Sequence, residues 1–150
     1  MGERGQAIFR VVMTELNGRN EPYFCPWFLG DKFPTFDYLL QLVDHPGYYF
    51  FVQVKTTTQG MTTSSAKLKV QVSRTDADRM VAWQAPSYIV GIDEPSKTGY
   101  LLSVNEQRDH VPSLITTHKI DGEVLSRLAS EVHRYWASRD MVLRNSQFKE

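Results

Sequence analysis

Gln53 and Lys55 stand two residues apart in the stretch Tyr48–Thr57, which otherwise reads as a strand. Strand side chains alternate between faces. Phe50, Val52 and Val54 therefore point one way, and Phe51, Gln53, Lys55 and Thr57 the other. The first set belongs in a core, whereas the second turns polar at Gln53. A lysine in an apolar strand is costly to bury without a partner, which places Lys55 at a cleft. Asp37 opens the preceding apolar stretch, and hairpin pairing brings it to the same end of a sheet. A carboxylate, an amide oxygen and an ammonium then converge. Oxygen donors are what Mg²⁺ accepts. A lysine beside a metal-bound water can orient it, or stabilise the charge that develops on a phosphate. Each residue also has a structural reading: Asp37 bonded to a turn amide, Gln53 in a cross-strand hydrogen bond, and Lys55 as a snorkelling surface lysine.

The elements that must position these groups follow from pattern. Residues 3–16 carry Ala7, Ile8, Val11, Val12 and Leu16 at helical spacing, and Asn17-Gly18 ends the helix. Residues 19–36 read as irregular, with three prolines and the rings of Tyr23, Phe24, Trp27, Phe28, Phe33 and Phe36. Those rings either cover one end of the core or form a dimer surface or base-stacking platform. Residues 37–43 are a buried strand, Asp44-His45-Pro46-Gly47 a turn, and Tyr48–Thr57 the second strand of the hairpin. Thr56–Ala66 is a polar loop. Lys67–Val72 alternates cleanly and predicts a third strand, with Leu68, Val70 and Val72 on its apolar face. Thr75 caps a helix to about Gln84 that Pro86 stops. Ser87–Ile92 and Tyr100–Val104 pair as strands. Asp121 caps a last helix over 122–139, where Leu125, Leu128, Val132 and Trp136 share a face and Ile120 staples to Leu125. The order is helix, three strands, helix, two strands, helix: an α/β domain with a mixed sheet.

Asp37 followed by Gln53-Val54-Lys55, on the strand text Phe51-Val52-Gln53-Val54-Lys55-Thr56-Thr57, resembles the PD-(D/E)XK nuclease superfamily. It looks especially like the variant with glutamine in the second motif, found in small bacterial domains of the DUF4365 kind. More distantly, it is similar to the archaeal Holliday-junction resolvases, whose strand carries Glu-x-Lys. The resemblance covers about residues 2–104. It implies a restriction-endonuclease-like core, a mixed β-sheet flanked by helices, in which a helix precedes a three-strand meander, a helix and another strand. It implies Mg²⁺ or Mn²⁺ as cofactor, held by Asp37, Gln53 and the backbone carbonyl of Val54, with Lys55 as the catalytic ammonium. An acid on the first helix also reaches the family's site, and here Glu3 or Gln6 would fill that place. Gln53 departs from the usual acid. An amide oxygen still coordinates, but it attracts a cation less strongly than a carboxylate does.

Bulk properties bound these readings. One hundred and fifty residues fit one domain, spanning 1–150. Seventeen basic and seventeen acidic residues cancel. That argues against a nucleic-acid coat protein but leaves room for a local patch. Such a patch runs from Lys55 to Arg79, where five basic residues (Lys55, Lys67, Lys69, Arg74, Arg79) face only Asp76 and Asp78. Lys67, Lys69 and Arg74 could hold phosphates. Equally, the strand lysines could guard an edge against pairing. Cys25 is the only cysteine, and with four histidines it makes no zinc pattern. No disulfide within the chain is possible, and no apolar run approaches the ~20 residues that span a bilayer. The expectation is a cytoplasmic DNA-acting nuclease in genome defence or DNA processing, with no membrane partner. A homodimer is the assembly that two-strand cutting suggests. The competing expectation is a catalytically weak or inactive module of the same fold, serving nucleic-acid binding or protein assembly.

Overall fold

The computed structural model describes residues 2–60, 67–68, 70, 72–104, 114–115 (backbone only), 117–140 and 142–149. Its elements are α1 (Glu3–Met13), β1 (Phe24–Phe28), β2 (Tyr38–Leu42), β3 (Tyr49–Thr57), β4 (Lys67–Leu68), α2 (Arg74–Ala82), β5 (Ser87–Asp93), β6 (Thr98–Ser103), β7 (Leu114–Ile115) and α3 (Gly122–Ala137). Five strands form one mixed sheet in the order β1-β2-β3-β5-β6, and β4 pairs with β7 separately. β1, β2 and β3 make an antiparallel meander. The chain then crosses through α2 so that β5 lies parallel to β3, and β6 returns antiparallel. A helix, a three-strand meander, a helix and a further strand thus follow one another in the order expected, within an α/β architecture.

The central strand β3 behaves as its alternation dictates. Phe50, Val52 and Val54 are buried. Across the sheet Tyr38 opposes Val52 and Leu40 opposes Phe50. α1 covers this face, with Phe9 and Tyr38 ring centroids 4.6 Å apart. On the opposite face, Phe51 meets Phe36 at 4.9 Å and Trp83, just past α2, at 5.1 Å. α3 docks where Trp136 Nε1 donates to the Tyr49 carbonyl at 2.8 Å. Its buried stripe is Leu125, Leu128, Val132 and Trp136, and Asp121 accepts from the Val124 N–H at 2.9 Å, as anticipated.

Four expectations need correction. First, the third strand of the meander is β1, not 67–72. β1 escapes a period-two pattern because its burial fades from Phe24 to Phe28 and Pro26 sits in its middle. Proline is tolerated there because β1 is an edge. Tyr23 and Leu29 direct their backbone groups to the β2 side, so Pro26, at the other parity, faces away. Leu68, Val70 and Val72 are indeed buried, but among the described residues only Lys67–Leu68 forms a strand, paired with β7, and Val72 makes an isolated bridge. Second, α1 ends at Met13, and Asn17 and Gly18 take positive φ in the turn beyond it. Its buried face is Gly5, Ile8, Phe9 and Met13, whereas Ala7, Val11 and Leu16 are exposed. The large pair Phe9 and Met13, four apart, sets the rotation of the helix. Third, Ser73 rather than Thr75 caps α2, accepting from the Asp76 N–H at 3.1 Å. Fourth, the aromatic stretch divides. Phe24 and Phe36 are core residues, while Trp27 and Phe28 are exposed by 56% and 41%.

Candidate active site

The β2–β3 ladder breaks at the residue where chemistry was expected. Tyr38 already opposes Val52, yet the Asp37 N–H also donates to the Val52 carbonyl at 3.0 Å. Two residues of one strand thus face one of the other, which is the arrangement of a β-bulge, a feature frequent beside active sites. The Asp37 side chain fills the gap this leaves, with Oδ2 accepting from the Val54 N–H at 2.7 Å. The carboxylate is thereby fixed at Val54, between Gln53 and Lys55. On the far side the Asp37 carbonyl accepts from the Leu29 N–H at 2.9 Å, which ties it to the end of β1.

Burial raises the Asp37 carboxyl above the ordinary aspartate range. The Val54 hydrogen bond and the charge of Lys55 pull the other way, and the like charge of Asp31 adds to the rise. Lys55 is therefore close enough for its charge to act on Asp37. It is half-buried, and no side-chain hydrogen bond or ion pair within 4 Å engages it among the described residues. Its neighbour in β5 is Gly91, which offers no side chain to cover it.

Gln53 is buried, at 7% exposure. Its Nε2 donates to the Thr35 carbonyl at 2.9 Å. A carbonyl can only accept, so this bond fixes which end of the amide is nitrogen. The other end, Oε1, is buried with no hydrogen-bond partner. Thr35 itself has φ +77°, and the Phe36 N–H donates back to the Pro34 carbonyl at 2.9 Å. This is the strained form of a γ-turn, rare for any residue and rarer for a β-branched one.

The residues suit a hard cation to a limited degree. An orphaned amide oxygen on Gln53 and a carboxylate bonded to the next residue, Val54, are oxygen donors of the kind Mg²⁺ and Mn²⁺ accept, and the unsatisfied Oε1 is the observation that supports the fit. The set is poor in charge, since no group of three or more His, Cys, Asp or Glu that could hold a metal occurs among the described residues.

The other expected residues are less closely engaged. Glu3 opens α1, exposed and without a side-chain hydrogen bond or ion pair among the described residues. Gln6 is half-buried and its Oε1 accepts from the Tyr38 hydroxyl at 3.5 Å, next to Asp37 in sequence. Lys67 lies in β4, outside the main sheet, and Arg74 is exposed at the start of α2. Lys69 lies outside the described residues. Two acids at this end of the sheet were not anticipated. Asp31 lies in the loop between β1 and β2 and acts on Asp37 through its charge. Asp93 ends β5 opposite Thr57; it is buried, with Oδ2 accepting from Ser96 at 2.5 Å and Oδ1 unpartnered. No motif spacing marks either of them. A cavity of about 510 Å³ lies elsewhere, between Tyr88, β6 and α3, and none of Asp37, Gln53 and Lys55 lines it.

No protein-family model matches the chain, and no curated protein matches it. A solved structure of Hjc, a Holliday junction resolvase from the archaeal hyperthermophile Archaeoglobus fulgidus, aligns with a TM-score of 0.41 and 17% identity. The alignment covers 70% of this chain and 82% of that one. No helix among the described residues is long and apolar enough to cross a membrane.

Proposed function

We propose that this domain is a divalent-metal-dependent phosphodiesterase acting on DNA. The observation that carries the reading is the convergence around Val54. There a carboxylate is held by a bulge on the Val54 N–H, and the residues either side of Val54 carry a buried amide oxygen without a partner and an ammonium unpaired among the described residues. Structural needs alone favour satisfying such groups, and here two of the three are left open.

Asp37, Gln53 Oε1 and the Val54 carbonyl would hold Mg²⁺ or Mn²⁺, with Glu3 assisting from α1. The cation would supply positive charge that favours ionisation of water and offsets charge on the phosphate. Burial makes the Asp37 carboxyl reluctant to ionise, and a cation beside it removes that reluctance. Lys55 positions the attacking water or neutralises the phosphoryl oxygens as the reaction proceeds. Water attacks in line on phosphorus, and the bond to the leaving sugar oxygen breaks. Trp27, exposed on the edge strand β1 with its indole N–H held by Gln41 Oε1 at 2.9 Å, offers a fixed ring face for a base. Lys67, Lys69 and Arg74 supply phosphate contacts, and a pair of copies would cut both strands.

The carboxylate-poor donor set favours a second reading, a module of the same fold that binds nucleic acid or partner protein without cutting. Incubating plasmid, linear and single-stranded DNA with Mg²⁺ or Mn²⁺ separates the two. The nuclease reading expects cleavage that Asp37→Ala and Lys55→Ala each abolish. Cleavage indifferent to both changes would sink the site. Absent cleavage with no calorimetric metal binding would favour the module.

A further inference from the structure

We propose that the strained turn at Thr35 fixes residue 53 as a neutral amide, so that glutamine is built into this site in place of the acid. The inference rests on the metal reading only for what the amide oxygen then serves. Its core concerns the pair Thr35 and Gln53 and stands without any cation.

Gln53 faces the backbone of the loop before Asp37. The Thr35 carbonyl lies 2.9 Å from Nε2. A carbonyl oxygen accepts and never donates, so the atom opposite it must carry hydrogen. Glutamine provides this at one end of its amide and leaves an oxygen at the other. An ionised glutamate of the same shape has no hydrogen at either end. It would set a charged oxygen against the carbonyl oxygen at the same separation, in a position only 7% exposed. Burial without a donor is costly for one such group and more so for two.

The carbonyl is not free to turn away. The Phe36 N–H bonds the Pro34 carbonyl at 2.9 Å around Thr35, whose φ is +77°. The following residue, Phe36, is 1% exposed and stacked on Phe51 with centroids 4.9 Å apart. Asp37 beyond it is fastened to Val52, Val54 and Leu29. Strain of this sort persists only where the surroundings over-determine it. The loop is therefore clamped from its C-terminal side with the Thr35 carbonyl directed at residue 53. Thr35 acts through Gln53 and is a positioning residue: it holds the nitrogen, and by doing so aims Oε1 the other way.

The opposite view is that Gln53 is a decayed acid, which restoring glutamate would repair. The two views diverge in the full-length protein at neutral pH with metal removed by chelator. Thermal unfolding is measured for Gln53→Glu and for Gln53→Met, a neutral side chain of similar size that loses the hydrogen bond without adding charge. Both variants are expected to melt lower than the natural protein, with Gln53→Glu lower than Gln53→Met by roughly 5 °C or more. Failure of Gln53→Glu alone to fold agrees with this. Manganese calorimetry supplies the second readout, in which Gln53→Glu is expected to show no gain in affinity. Equal loss in the two variants, full stability of Gln53→Glu, or a tenfold gain in Mn²⁺ affinity with the fold intact would each overturn the proposal. None of these readouts needs DNA cleavage. An inactive natural protein that shows the stability split would remove the nuclease reading and leave this inference standing.

Discussion

Two places in this molecule bring polar side chains against the sheet, and they are finished differently. Beside α3 the Tyr88 hydroxyl donates to Glu131, Trp136 Nε1 reaches the Tyr49 carbonyl, and Tyr135 reaches the Gln84 carbonyl. Burial, followed by the Glu131 contact, pushes the Tyr88 phenol far above its ordinary range, which keeps it a neutral donor. Each of these groups is spent on a neighbour. At the Asp37 end, Gln53 Oε1 has no partner, Lys55 is unpaired among the described residues, Thr35 is strained and Asp37 is held against its burial. The α3 side holds a cavity of about 510 Å³, yet the unsatisfied chemistry is at the other end. A cavity reports shape. Unspent hydrogen-bonding capacity in a buried place reports that something else completes it.

The two ends should differ most in catalysis. Asp37→Asn keeps an acceptor for the Val54 N–H but removes the charge, so the fold should survive while cleavage rates fall on the order of a hundredfold or more. A variant that cuts as well as the natural protein would make this end of the sheet merely structural. Trp27→Ala comes next. Loss of one stacked base costs roughly 1–3 kcal/mol, so single-stranded DNA binding, followed by fluorescence anisotropy, should weaken about tenfold with the melting temperature nearly unchanged. An unaltered affinity would assign the exposed ring to some other contact.

Titration sharpens the contrast further. The folded Asp37 pKa lies above its unfolded value because of burial. The natural protein therefore enjoys its full relative stability below the ordinary aspartate range. It loses that stability as pH rises from about 4 through the folded pKa. Without metal, Asp37→Asn should gain on the natural protein over that window, as measured by urea midpoints. A constant difference across it would contradict the burial effect. Thr35→Gly should relieve the turn and raise stability by about 1 kcal/mol, and a loss would show that threonine is not strained there. Smallest of all is Tyr88→Phe. Glu131 is exposed and keeps water as a partner, so stability should move by less than about 1 kcal/mol and cleavage not at all.

Sequence reading reached the central strand because it depends on period-two alternation alone, and Phe50, Val52 and Val54 fell where that period puts them. It reached α3 for a similar reason: an Asp121 cap and an apolar stripe are local signals. It placed Asp37 at the same end of the sheet as Gln53 and Lys55 because a short turn leaves a hairpin little choice of register. It missed β1, since an edge strand can carry a proline and lose its alternation. It also misjudged the buried face of α1, whose Val11 is exposed while Phe9 and Met13 are not. Several apolar stripes were open to that helix, and only the sheet beneath it selects one.

The chain by itself thus determined which residue types share a strand face and which carry charge. Tertiary structure decided what each of them is spent on. Whether Gln53 turns its oxygen or its nitrogen towards the candidate site depends on a carbonyl eighteen residues away. Whether Asp37 is an open carboxylate or a partner of Val54 depends on a bulge that no local spacing announces. Hydrogen bonds are directional and short, so their pairing is settled only when the strands that bear them have met.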